Sequence, residues 1–338
     1  ELLGGATNNN FITDQGGDGS YFPRESSSIS MWVKESSWSS TTFLFDYTNG
    51  GDTDGKMWLS TINPSGELRW HIKTGARKKI TSTATDIATS AALAYGVFAA
   101  DMDGDGDMDI LSASNADNTI AWYENNGDAN PTWTATDIAT DAAGANSVFA
   151  ADMDGDGDMD IVSSSANDNT IAWYENDGNA NPTWAAADIA TSANSARSVF
   201  VADMDGDGDM DILSASHNDN TIAWYENNGD ANPTWTATDI ATSAAGALSV
   251  YAADMDGDGD MDIVSASMLD NTIAWYENNG DANPTWAAAD IATDAAGASG
   301  VYAADMDGDG DMDIVSASSN DNTIAWYENN GDANPTWT

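Results

Sequence analysis

A 51-residue unit returns five times along this chain without a single insertion. The "NPTW" motif places Trp133, Trp184, Trp235, Trp286 and Trp337, and "AWYEN" places Trp122, Trp173, Trp224, Trp275 and Trp326. A fixed period of this length means that each unit is one supersecondary element that buries its apolar face against its neighbours. One unit reads "WTATDIATDAAGANSVFAADMDGDGDMDIVSSSANDNTIAWYENDGNANPT". The runs "TATDIAT", "SVFAAD", "MDIVSSS" and "NTIAWYEN" read as strands. Between them lie an Asp-Gly loop, an Asn-Asp-Asn turn and an Asn-Gly-Asp-Ala-Asn-Pro turn. Four strands per unit is the content of one propeller blade. The sequence therefore predicts an all-β chain in which residues 81–338 form a β-propeller of four-stranded blades. A solenoid with four strands per rung is the competing arrangement.

Residues 1–80 do not share the period. "SISMWVK", "TFLFDY", "KMWLSTI" and "ELRWHIK" read as strands, the last with Leu68, Trp70 and Ile72 on one face and Arg69, His71 and Lys73 on the other. "TGARKKI" (74–80) reads as a basic connector. Charge divides the chain at the same place. Residues 1–80 hold eight basic and nine acidic residues, whereas residues 81–338 hold 47 acidic residues and one basic residue, Arg197. Such a surface repels nucleic acid and anionic membranes and attracts cations. Like-charged stretches are often disordered, but ten Trp in the repeats argue for a folded core. The chain has no Cys, so stability outside a cell must come from packing or metal. No apolar run reaches the length of a membrane span. The opening "ELLGGATNNN" lacks the regions of a signal peptide, so either a signal has been removed or the chain is a segment of something longer.

Asp101-Met-Asp103-Gly-Asp105-Gly-Asp107-Met-Asp109 carries carboxylates at loop positions 1, 3, 5, 7 and 9. The same decapeptide supplies Asp152, Asp154, Asp156, Asp158 and Asp160; Asp203, Asp205, Asp207, Asp209 and Asp211; Asp254, Asp256, Asp258, Asp260 and Asp262; and Asp305, Asp307, Asp309, Asp311 and Asp313. Five carboxylates in nine residues repel one another, so a cation is expected. Calcium takes six to eight oxygens in flexible geometry, and Gly at position 6 permits the sharp bend such loops need. Position 7 of calcium loops donates its carbonyl, which gives Asp107 a main-chain role. Magnesium keeps its waters, and zinc takes Cys and His, so both fit less well. Position 12 is Ser112 rather than Glu, and Ile110 and Leu111 are strand-like, so a strand–loop–strand calcium site is expected instead of an EF-hand. The expectation is about one Ca2+ per repeat, five in all.

With "VFAADMDGDGDMDILSAS" (97–114) and its four counterparts, the repeats resemble FG-GAP/VCBS repeats, as in integrin α-subunit propellers and large bacterial surface proteins. The resemblance covers about 81–338 and implies a β-propeller with calcium in loops between adjacent strands of each blade. It implies Asp101, Asp103, Asp105 and Asp109 as side-chain ligands of the first site, and Asp107 through its carbonyl. Larger blade numbers are common in the family. The spare "TATDIAT" (83–89) could complete the fifth blade and close a five-bladed ring; otherwise the chain is an excerpt and further blades follow. Residues 1–80 more weakly resemble a laminin-G/concanavalin-A-like jelly roll, shorter than such domains usually are.

His71 and His217 are the only histidines, and no nucleophile–base pair, phosphate loop or isolated carboxylate pair stands out. The chain is accordingly read as no enzyme. The Trp and Tyr of "AWYEN" are read as inter-blade core, with sugar stacking as the sharper alternative. Tyr95, Asn146, Arg197, Leu248 and Ser299 differ at one equivalent position, as do the turn pairs 115–116, 166–167, 217–218, 268–269 and 319–320. They read as drift on a solvated surface, or as a binding face. Pro blocks the "NPT" sequon. The functional expectation is a calcium-stabilised extracellular structural or adhesive module of a bacterial surface or secreted protein. Its partner would be a protein or glycan at the cell surface or matrix, or further copies in a fibre, with no nucleic acid and no membrane insertion. The alternatives are a lectin and an accessory domain of a polysaccharide-degrading enzyme.

Overall fold

The computed structural model describes residues 43–47, 56–62, 67–73 and 85–338. The chain divides into two compact units between Thr85 and Asp86. In the first, β1 (Phe43–Tyr47), β2 (Lys56–Ile62) and β3 (Glu67–Lys73) form an antiparallel sheet in the order β1-β2-β3. The "SISMWVK" strand, the 74–80 connector and the rest of the expected jelly roll lie outside the described residues.

The second unit is all β. Its first blade runs β4 (Ala94–Ala100), β5 (Asp109–Ser114), β6 (Thr119–Asn125) and β7 (Trp133–Ala139), an antiparallel meander in that order. The pattern recurs as β8–β11 (145–190), β12–β15 (196–241) and β16–β19 (247–292). The fifth blade has β20–β22 (298–327), plus a bridge between Asn329 and Trp337. The first strands of successive blades lie side by side, from β4 through β8, β12 and β16 to β20. This is the innermost position of a propeller blade. The outermost strand, such as β7, is largely exposed, while the second strands of blades 2, 3 and 4 are buried on both faces.

Those middle strands are built from Ile, Leu or Val with Ser and Ala. Short side chains let neighbouring blades pack closely, and Tyr hydroxyls satisfy part of the polarity: Ser112 Oγ lies 3.3 Å from Tyr123 Oη. A core between blades 1 and 2 joins Leu111, Ile120 and Trp122 to Ala145, Val148 and Ile161. Equivalent cores lie between blades 2 and 3, 3 and 4, and 4 and 5. Among the described residues none joins blade 5 to blade 1. Residues 85–90 are exposed and form no strand, so the expected completion of blade 5 by the 83–89 segment is not met in the described residues. No helix there is long and apolar enough to cross a membrane.

Candidate metal centre

Each acidic decapeptide links the first and second strands of its blade. The pair Ala100↔Asp109 is the last rung of the β4–β5 ladder, so the loop starts and ends on rigid backbone. Gly106 and its equivalents at position 6 have φ between 96° and 105°, a conformation that favours glycine. Here the chain reverses, and alternate carboxylates turn inward. Gly106 N–H donates to Asp101 Oδ2 at 3.0 Å, and Asp107 N–H to Asp105 Oδ1 at 2.9 Å. The loop is thus organised by hydrogen bonds from its backbone to its own carboxylates.

Oxygens of three carboxylates come within 4.8 Å of one another in every copy. The groups are Asp101, Asp103 and Asp109; Asp152, Asp154 and Asp156; Asp203, Asp205 and Asp211; Asp254, Asp256 and Asp258; and Asp305, Asp307 and Asp309. Positions 1 and 3 therefore contribute throughout, position 5 in three copies and position 9 in two. Position 7 contributes to none. Its side chain turns outward: a Cβ on Gly127 would overlap the Asp107 carboxylate, and the same holds for Asp158, Asp209, Asp260 and Asp311 at their glycines. The side chain thus lies against that glycine and outside the cluster.

Position 9 is a strut as well as a cluster member. Asp109 is buried, and its Oδ1 accepts from Asn125 N–H at 2.7 Å. Its Oδ2 accepts from Met102 N–H at 3.1 Å and Trp122 Nε1–H at 2.9 Å. Asp160 repeats all three bonds. Burial pushes the Asp160, Asp211 and Asp262 carboxyls up to about 7 in spite of these donors. Asp103, Asp154, Asp205 and Asp256 are also raised, first by burial and then by neighbouring carboxylates such as Asp156 beside Asp154. Negative charge in these loops is thus short of compensation. Asp101 Oδ1 is buried with no hydrogen-bond donor. Hard oxygens, an orphaned carboxylate oxygen and like charges at close range suit a hard cation, and each cluster can hold a metal ion.

The sequence reading missed the Asn of "AWYEN". Asn176 Nδ2 donates to Met102 O of the preceding loop at 2.9 Å and to Met159 O of its own loop at 3.0 Å. The same double bond is made by Asn227, Asn278 and Asn329. One side chain therefore ties two acidic loops together. Its invariance across five copies was the available signal, but the 74-residue span to its partner was not. The copy-variable residues gather at the other end of the blades, where β4 starts and β5 ends: Asn167 N–H donates to Ala143 O at 2.9 Å, beside Asn146.

The FG-GAP-like repeat model matches residues 101–163, 160–214, 203–265, 257–316 and 305–338. No curated protein matches the sequence. Among solved structures, a Bacteroides uniformis protein named as 6-phosphogluconolactonase aligns with TM-score 0.50 and 14% identity, over 84% of this chain and 77% of that one. The V. cholerae biofilm matrix protein Bap1 aligns at TM-score 0.42 and 22% identity, over 73% of this chain and 38% of its own. A fucose-specific lectin from Aleuria aurantia aligns at 0.44 and 12%, over 85% and 91%. The first of these corrects the expectation that the chain is no enzyme. A protein named for a lactonase has this fold, so the architecture gives no ground for excluding catalysis, although identity this low shows the fold alone. The repeat matches run from residue 101 to residue 338, more than half of the sequence, and the chain belongs to the FG-GAP-like repeat family.

Proposed function

We propose that this chain is a calcium-stabilised structural or adhesive module that works outside the cell, with a protein or glycan surface as its partner. The observation that carries this reading is the acidic loop itself: five copies, each bringing three carboxylate oxygens within 4.8 Å on a hydrogen-bonded frame. In the first copy Asp101, Asp103, Asp105 and Asp109 would hold the ion through side chains and Asp107 through its carbonyl; the other four loops follow by position. A bound dication supplies the positive charge that the loop lacks. The chain's own residues do the rest. Position 6 bends the loop, Asp109 fixes its exit against Trp122 and Asn125, and Asn176 transmits the loop's position to the next blade.

At ten to a hundred times its dissociation constant, calcium adds about 1.4–2.7 kcal/mol per site. Extracellular modules bind it at roughly 10⁻⁴–10⁻³ M, which supports a location where calcium is plentiful. The test is thermal unfolding with and without EDTA, followed by calcium titration. EDTA is expected to lower Tm markedly, calcium to restore it, and calorimetry to count about five sites. An Asp154→Asn, Asp156→Asn double variant should lose one site of the five. Unchanged melting in EDTA, with no metal by elemental analysis, overturns the proposal.

A further inference from the structure

The Met at loop position 2 stands between two members of its acidic cluster, since positions 1 and 3 contribute in every copy. Its side chain leaves the loop. Met102, Met153, Met204 and Met255 are 1–2% exposed, and each enters the core between its own blade and the next. The Met at position 8 stays outside, with Met159 39% and Met210 38% exposed. A shift of positions 1 and 3 therefore pulls on a residue held in an inter-blade core, and close packing transmits such strain.

Hydrogen bonds carry the connection on to the next loop. In the loop of blade 2, Met153 N–H donates to Asp160 Oδ2 at 3.1 Å. Met153 O accepts from Asn227 Nδ2 of blade 3 at 2.8 Å. That amide also donates to Met210 O in the loop of blade 3 at 3.1 Å, and Asn227 N–H donates to Asp211 Oδ1 at 2.7 Å. Asp211 is a member of the blade 3 cluster. A path of buried residues thus runs unbroken from one acidic loop to the next. It recurs from Met102 through Asn176 to Asp160, from Met204 through Asn278 to Asp262, and from Met255 through Asn329 to Asp313.

We infer that the acidic loops bind their cations with positive cooperativity, each occupied loop raising the affinity of its neighbours through the position 2 Met and the blade-crossing Asn. The inference rests on the calcium reading above and deepens it. In an empty loop the like charges of positions 1 and 3 push apart, whereas in an occupied loop both are held on one ion. Met153 is then fixed between them, Asn227 is fixed by Met153 O, and Asp211 is set in place before its own loop fills. Ordering completed at one loop is not repeated at the next, which is the source of the coupling. Two occupied loops repel each other, but salt screens that repulsion and leaves buried hydrogen bonds and packed side chains in force.

Calorimetric titration of the full chain with calcium is the test. The isotherm should be steeper than independent sites give, with a Hill coefficient above unity that survives high salt. An Asn227→Ala, Asn278→Ala double variant cuts the blade 3 loop off from both neighbours; it should bind as many ions as the wild type, with a smaller Hill coefficient. An Asp203→Asn, Asp205→Asn double variant empties the blade 3 loop and leaves every crossing Asn in place. It should lose one ion, and two of the remaining sites should weaken by about five-fold or more. This variant keeps every core residue, so it decides the question even where the Asn variant does not fold. A wild-type Hill coefficient of unity or below, unchanged steepness in the Asn variant, or unchanged affinity at the remaining sites of the loop variant overturns the inference. Each of these leaves the calcium reading standing. Absence of bound calcium overturns both.

Discussion

The asparagine that ends each "TIAWYEN" strand shows how much one side chain can hold. Asn227 is buried and donates to Met153 O at 2.8 Å and Met210 O at 3.1 Å, in two different blades. Removing the amide leaves buried carbonyls without a donor, at about 1–3 kcal/mol per orphaned group. Among the described residues the Asn125 amide, at the same repeat position, donates to Met108 O alone, at 3.0 Å. Asn227→Ala should therefore cost about 2–3 kcal/mol in urea unfolding, and Asn125→Ala about 1 kcal/mol less. Equal losses would mean that the cross-blade bond carries no weight. The acidic loop divides its labour in a similar way, with position 9 a buried strut and position 7 turned out against a glycine.

At the scale of the element, the innermost strands stack an aromatic ladder. Phe98, Phe149, Phe200, Tyr251 and Tyr302 follow one another with ring centroids 4.4–5.1 Å apart. Burial, with Tyr302 beside it, pushes the Tyr251 phenol up to about 12. Burial also raises Tyr174, Tyr225 and Tyr276 in the third strands. A phenol raised on folding holds its proton more tightly in the native state than in the unfolded one. Its contribution to stability is complete below the ordinary value near 10 and is lost as pH climbs through the folded value. Titration of tyrosinate absorbance should therefore show a late group of ionisations above the ordinary range. Tyr251→Phe should remove a step near 12. A single transition at the ordinary value would contradict the packing described for these strands.

At the scale of the molecule, the repeats behave as a one-dimensional array in which each blade depends on its neighbours. Trp224 lies between two blades, and Trp224→Ala should cost about 3–5 kcal/mol, as large core truncations do. Trp326 occupies the same motif on an end face, so Trp326→Ala should cost less than half as much, measured by the unfolding midpoint of dilute protein. A comparable loss at both sites would mean that the blade 5 face is covered. The acidic surface of the repeats, with Arg197 as its one basic residue, favours cations.

The 51-residue period and the residues within it determined the blade: four strands, where they turn, and an acidic loop between the first two. Those properties are local, because strand alternation, turn chemistry and a glycine at a positive φ act over a few residues. What one blade does to the next was not legible. Nothing in "AWYEN" says that its Asn reaches a carbonyl 74 residues back, or that position 9 serves as a strut. The sequence left open whether the 83–89 segment closes a five-bladed ring or further blades follow, and among the described residues no core joins blades 1 and 5. Identical units carry identical instructions for their own fold and for a neighbour's face. How one such unit meets the next depends on the rotation accumulated from blade to blade, which only the tertiary structure decides.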